Sequence, residues 1–214
     1  MTTVLLTGFE PFGGETTNPS WSAVQEAKRD WIGREDIHVL ELPVDFATAG
    51  PAVAAALDTL RPDLVICVGQ AGGAASLQVE RVAINIDDAR IPDNAGRQPI
   101  DEPVIAGGPA AYFSTLPIKA AVEELTRLGI PAVISQTAGT FACNHVFYRL
   151  MHELEGSERN TRGGFVHVPF APGQAAGTRY ASMTVEMMAR GITAIAATAL
   201  STFVDHKVAG GALY

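Results

Sequence analysis

The sequence predicts an α/β fold, with an open, mostly parallel β-sheet covered by helices on both faces. Short runs rich in Val, Ile and Leu recur at 4–7, 38–42, 64–68, 132–135 and 165–168. They do not alternate apolar with polar residues, so they read as strands buried on both sides. Segments of helical character lie between them, and strand alternating with helix is the pattern of a sheet with crossover connections. The 214 residues, 47% of them hydrophobic and 18% charged, are enough for one good core. A single domain over 1–214 is therefore expected, with no linker or repeat dividing it.

In chain order, the strand at 4–7 is followed by a helix at 20–31 and a strand at 38–42. A helix at 46–60 comes next, with Asp45 as its N-cap, then the apolar strand at 64–68. Residues 77–88 alternate, as Leu77, Val79, Arg81 and Ala83 against Val82, Ile84 and Ile86, which predicts one longer strand with a more exposed face. The stretch 91–111 carries four prolines and three glycines without periodicity. An irregular segment of that length in a compact domain is usually functional, and it is read here as a substrate-side loop. A helix at 115–128 stops at Gly129 and Pro131, the strand at 132–135 follows, and a helix at 143–154 stops at Gly156. The strand at 165–168 and a last helix at 182–202, weakened at Gly191, complete the series. In open α/β sheets ligands bind outside the carboxyl ends of the strands, which directs attention to the loops leaving them.

The formal net charge of -8 and a pI near 5.1 argue against phosphate backbones and anionic membranes as partners, and the 15 Lys and Arg form no patch. Apolar runs such as 192–200 are too short to span a bilayer. The N-terminus has neither the charged flank nor the long apolar stretch of a signal peptide, so a cytoplasmic protein is expected. Two cysteines, Cys67 and Cys143, cannot form a secreted disulfide framework. No paired Cys or His spacing closes a zinc site; His145 and His152 share a helix face but have no second pair nearby.

Cys143 stands in Gly-Thr-Phe-Ala-Cys-Asn-His at the start of a helix that follows a strand and a glycine-containing turn. A thiol at a helix N-terminus feels the positive end of the dipole and open N–H groups, which favour the thiolate. The alternative is a small buried residue. Cys67 lies inside Leu-Val-Ile-Cys-Val-Gly, where desolvation would keep it inert, and is read as packing. His167 sits near the carboxyl end of an interior strand and is the candidate general base, against the alternative of a satisfied core histidine. His145 is closer to Cys143 in sequence, but two helical residues rotate it roughly 200° away. Glu80, placed by the alternation on one face with Val82 and Ile84, would need a partner if buried. It could orient the histidine, or simply pair with Arg81. Asp87 and Asp88 compete for that role but read more simply as solvated turn residues.

The turn Gly8-Phe-Glu-Pro-Phe-Gly-Gly14 lacks the Lys and Ser or Thr of a phosphate-binding loop, and Gly69-Gln-Ala-Gly-Gly73 lacks the dinucleotide spacing. Phe9 and Phe12 at the mouth of the first strand suggest instead an apolar wall for a small flat ligand, or a core staple.

Taken together, several stretches resemble the pyrrolidone carboxyl peptidases, also called pyroglutamyl peptidases type I. They are Leu6-Thr-Gly-Phe-Glu-Pro-Phe-Gly-Gly14, Asn18-Pro-Ser-Trp21, Gly69 to Gly73, Glu80-Arg-Val-Ala-Ile-Asn-Ile-Asp-Asp-Ala-Arg-Ile-Pro-Asp-Asn94, Gly139 to His145 and His167-Val-Pro-Phe170. The similarity spans nearly the whole chain. It implies a three-layer α/β/α sandwich and a cysteine peptidase that removes N-terminal pyroglutamate from peptides through a thioester. Cys143 would be the nucleophile, His167 the acid and base, and Glu80 the orienting carboxylate. Arg90 matches an arginine near the site, and Phe9, Phe12, Gln70, Ile91 and Phe141 match positions around the ring pocket. The family also implies no cofactor and a homotetramer. Ala74, where an arginine is expected, and Ala142, where relatives often carry valine, depart from the pattern, and Ala142 raises the question of a wider pocket. Two other readings remain open from the residues. One is a nucleoside phosphorylase, which would need a phosphate site not visible here; the other is an inactive module that binds pyroglutamyl peptides.

Overall fold

The computed structural model describes residues 2–157 and 159–211. Val4, Leu5 and Leu6 are consecutive and all fully buried, as strand residues are when helices cover both faces of a sheet. They belong to β1 (Thr3–Phe9), which is followed by α1 (Pro19–Arg29), β2 (Asp36–Leu42), α2 (Ala49–Leu60) and β3 (Leu64–Gln70). Next come β4 (Leu77–Glu80), β5 (Val82–Ile84), β6 (Ala111–Phe113), α3 (Ile118–Arg127) and β7 (Ala132–Ser135). α4 (Ala142–Glu155), β8 (Arg162–Val168), the short α5 (Pro172–Ala175) and α6 (Val185–Ser201) follow.

The main sheet has six strands in the order β2-β1-β3-β8-β4-β7. The first four run parallel to one another; β4 lies antiparallel to β8, and β7 is parallel to β4. Alternate residues of each central strand feed two cores. Val4, Leu6, Ile66 and Val166 pack with α1, α3 and α6 on one face. Leu5, Val65, Cys67 and Phe165 pack with α2 and α4 on the other. The result is the three-layer α/β/α sandwich, and each fully buried Leu, Ile or Phe in it contributes on the order of 1.5–3 kcal/mol.

All five apolar runs are strands, and the long helices lie where periodicity places them. The boundaries shift for local reasons. Asp45 accepts hydrogen bonds from the Ala47 N–H and the Thr48 hydroxyl, both at 2.7 Å, so it organises the turn before α2 and leaves Thr48 in the N-cap position. Gly191 does not break α6. A Cβ there would meet Leu77 Cδ1 at 2.3 Å, so the missing side chain lets the helix approach β4. The expected long strand at 77–88 is two: β4 stays in the main sheet, whereas β5 leaves it after Arg81 to pair with β6 as a separate two-stranded sheet. Alternation continues across the break, which is why it reads as one strand. Among the described residues, no helix is long and apolar enough to cross a membrane.

Candidate active site

The sheet register places the candidate residues side by side. Gly69 on β3 is opposite His167 on β8, and His167 is opposite Gln78 on β4. Residues opposite one another share a face, as do residues two apart on one strand, so Glu80 is the diagonal neighbour of His167 on the face covered by α4. Its carboxylate Oε1 accepts from His167 Nδ1 at 2.7 Å, with Glu80 fully buried and His167 6% exposed. Glu80 thus shares its face with Gln78 and His167, not with Val82 and Ile84 of the other sheet, which corrects the expected neighbours while keeping the expected burial. The alternative pair with Arg81 is not formed, because Arg81 donates to Gln136 and to the Gly210 carbonyl.

Cys143 is the second residue of α4 and is partly exposed. Its sulfur lies over Gly69, where a Cβ would fall 2.6 Å from Sγ. Since Gly69 is level with His167, the thiol lies beside the imidazole whose Nδ1 is bound to Glu80. The N-cap of α4 is Phe141, which offers no side-chain acceptor to the helix. Its place would ordinarily be taken by Ser, Thr, Asp or Asn, and here the first N–H groups stay available.

Electrostatics follow from this packing. Burial pushes the His167 pKa down, but the charge and hydrogen bonding of Cys143, joined by those of Glu80, outweigh it and raise the imidazole to about 10. Cys67, fully buried in the core below, is pushed up to about 12 by desolvation. That is the inert setting its sequence context implies.

Phe12 and Phe141 are half-buried rings 6.0 Å apart, and Phe46 meets Phe141 edge-on at 5.4 Å. Ile91 is 42% exposed and faces the turn at Gly13. The loop that carries Ile91 is fastened to this turn by Asn94, which donates to Glu10 Oε1 and the Pro11 carbonyl. Gln70 accepts from Gln174 at 2.9 Å. Phe9 is buried, with its ring against Phe165, in the apolar cluster against which Phe12, Phe141 and Cys143 pack. Arg90 is exposed and makes no side-chain hydrogen bond among the described residues. Ala142 is buried in the core between the sheet and α2 and α4.

Sequence reasoning missed two supports. Asn144 is fully buried; it accepts from the Ile84 N–H and donates to the carbonyls of Ile84 and Ile86. Asp87, expected to be a solvated turn residue, is 2% exposed and bonded to His145 at 2.8 Å. No local signal marks them, because Asn144 and His145 act on a segment about 58 residues away in sequence. Among the described residues, no group of three or more His, Cys, Asp and Glu is placed to hold a metal ion.

The family model described as pyroglutamyl peptidase matches residues 2–202. The chain is 60% identical to the pyrrolidone-carboxylate peptidase of Clavibacter michiganensis subsp. michiganensis and 55% identical to that of Cupriavidus taiwanensis, each over 100% of both chains. The crystal structure of pyroglutamyl peptidase I from Bacillus amyloliquefaciens superposes with a TM-score of 0.94 at 45% identity, covering 97% of this chain and 99% of that one. The pyrrolidone carboxyl peptidase of Thermococcus litoralis gives 0.88 at 39% identity over 94% of each. By its sequence over almost its whole length and by its fold, the chain belongs to the pyroglutamyl peptidase family.

Proposed function

We propose that this chain, a pyrrolidone-carboxylate peptidase of the cysteine type, cleaves N-terminal pyroglutamate from peptides with Cys143 as nucleophile, His167 as acid and base, and Glu80 as the carboxylate that orients His167. The observation that carries the reading is the 2.7 Å bond from His167 Nδ1 to buried Glu80, on the face where Cys143 begins its helix.

In the first step the Cys143 thiolate attacks the pyroglutamyl carbonyl carbon and a C–S bond forms. The carbonyl electrons move to oxygen, and the open N–H groups at the start of α4 are in place to stabilise that charge. As the tetrahedral centre collapses, the C–N bond breaks and the His167 imidazolium gives its proton to the departing amine. The thiolate charge that held the proton on His167 is gone in the thioester. The imidazole then becomes a competent base, takes a proton from water, and the resulting attack releases pyroglutamate and restores the thiolate. One histidine can serve both steps because the charge beside it changes between them.

Selectivity follows from charge. The lactam has no ammonium group, so half-buried rings such as Phe12 and Phe141, with Ile91 beside them, can cover it. An ordinary N-terminus would bury an unpaired charge there. Phe9 supports this wall from the core, Gln70 supplies a polar group held by Gln174, and Arg90 is assigned to the outer rim of the site. The same reading takes 1–214 as one peptidase domain, with no cofactor, working in the cytoplasm as a homotetramer.

Turnover of a pyroglutamyl reporter amide by wild type, Cys143→Ala and His167→Ala tests the assignment. Loss in both variants with wild-type folding is the expected result. Persistence of activity in Cys143→Ala would remove the nucleophile from the scheme.

A further inference from the structure

The roles assigned above leave one buried ionisable pair unused. Asp87 and His145 are 2% and 6% exposed, and His145 Nδ1 lies 2.8 Å from Asp87 Oδ2. Burying such a pair is not in itself a stabilising device, because apolar residues of similar volume often serve as well. Its position suggests another use. His145 is two residues beyond Cys143 on α4, rotated roughly 200° from it, so the imidazole cannot act on the sulfur directly.

The imidazole faces a row of rings instead. Phe46 meets His145 edge-on, with centroids 5.5 Å apart and planes at 84°. Phe46 then meets Phe141 edge-on at 5.4 Å and 89°, and Phe141 packs on Phe12 at 6.0 Å. The row runs from the buried pair to the two half-exposed rings beside the nucleophile. Asp87 is a firm anchor for its far end: its N–H and carbonyl both bond to Glu102, and the N–H of the next residue, Asp88, donates to the Thr140 carbonyl at 2.9 Å. Without the carboxylate, the imidazole can turn about its last side-chain torsion, which has a broad two-fold preference. The edge-on contact with Phe46 depends on that angle.

We propose that Asp87 and His145 are positioning residues that set the aromatic wall of the substrate pocket, acting through Phe46 on Phe141 and Phe12 and so on recognition of the lactam ring. This rests on the reading of Cys143 as nucleophile with Phe12 and Phe141 beside the bound ring.

The test measures kcat and KM for a pyroglutamyl reporter amide, inhibition by 2-pyrrolidone as a bare lactam probe, and the rate of Cys143 alkylation by iodoacetamide. Asp87→Asn, His145→Gln, the double variant and Phe46→Leu are compared with wild type. KM and the 2-pyrrolidone inhibition constant are expected to rise about twofold to tenfold in each, the range a lost edge-on ring contact implies. The change in kcat should stay within about threefold, alkylation should be unchanged, and the double variant should be no worse than the poorer single. Phe46→Leu tests the row without touching the pair, so the inference can be checked even if His145→Gln fails to fold. Unchanged KM in Asp87→Asn or Phe46→Leu, or a fall in kcat matched by slower alkylation, overturns it. An inactive wild type would instead overturn the functional reading beneath it.

Discussion

Gly69 lies directly against the Cys143 sulfur: a Cβ on Gly69 would stand 2.6 Å from Sγ and 2.8 Å from Cζ of Phe165. Because Gly69 is also level with His167 in the sheet, the absent side chain is what admits the thiol to the imidazole. Gly69→Ala should therefore leave the sheet intact but push the sulfur aside. A displacement near 1 Å costs about a hundredfold in rate. Circular dichroism with reporter turnover checks this, and activity within threefold of wild type would mean the contact does not matter.

Glu80→Gln should lower the pKa of His167. Burial alone favours the neutral imidazole, and Glu80 is one of the two groups opposing it; removing its charge leaves Cys143 alone to hold the proton. The imidazolium is the acid for the leaving amine, so wild-type activity should fall as pH rises through about 10. In Glu80→Gln that alkaline limb moves to lower pH, and kcat falls on the order of a hundredfold or more as the tautomer is no longer fixed. A pH–rate profile and histidine NMR titration of both proteins measure the shift.

Cys67→Ala should keep turnover within about twofold, because a thiol raised to about 12 by burial has no reactive form near neutrality. The cost is in stability, about 1 kcal/mol for a small cavity in the core, read from urea unfolding.

Asn144→Ala removes three hydrogen bonds and strands the Ile84 N–H and the Ile86 carbonyl, while the Ile84 carbonyl keeps the Ile86 N–H. A loss of about 2–3 kcal/mol is expected, with a fall in kcat, since the segment after β5 would no longer be held to the helix that carries Cys143. Chemical denaturation and steady-state kinetics check the two effects separately.

The strands and helices were legible because burial on both faces leaves apolar runs, and packing on one face leaves a helical period. Cys143 and Cys67 could be told apart by context alone, one at a helix start and one inside a strand. Glu80 was harder. Its residue type and burial could be argued, but the break after Arg81 could not, since β5 continues the alternation while joining another sheet. Phe9 and Phe12 look equivalent in sequence, yet Phe9 closes β1 and is buried against Phe165, whereas Phe12 stands in the turn beyond the strand and stays half-buried. Asp87 was misread for the same kind of reason: it is ordinary locally, and only the crossing of α4 over the segment after β5 brings it to His145.

The most direct test of the central claim is to inactivate the enzyme with a pyroglutamyl chloromethyl ketone and map the modified residue by mass spectrometry. Alkylation of Cys143 alone, prevented by excess pyroglutamyl substrate and much slowed in His167→Ala, is the expected result. Labelling of Cys67, or inactivation with Cys143 unmodified, would contradict it.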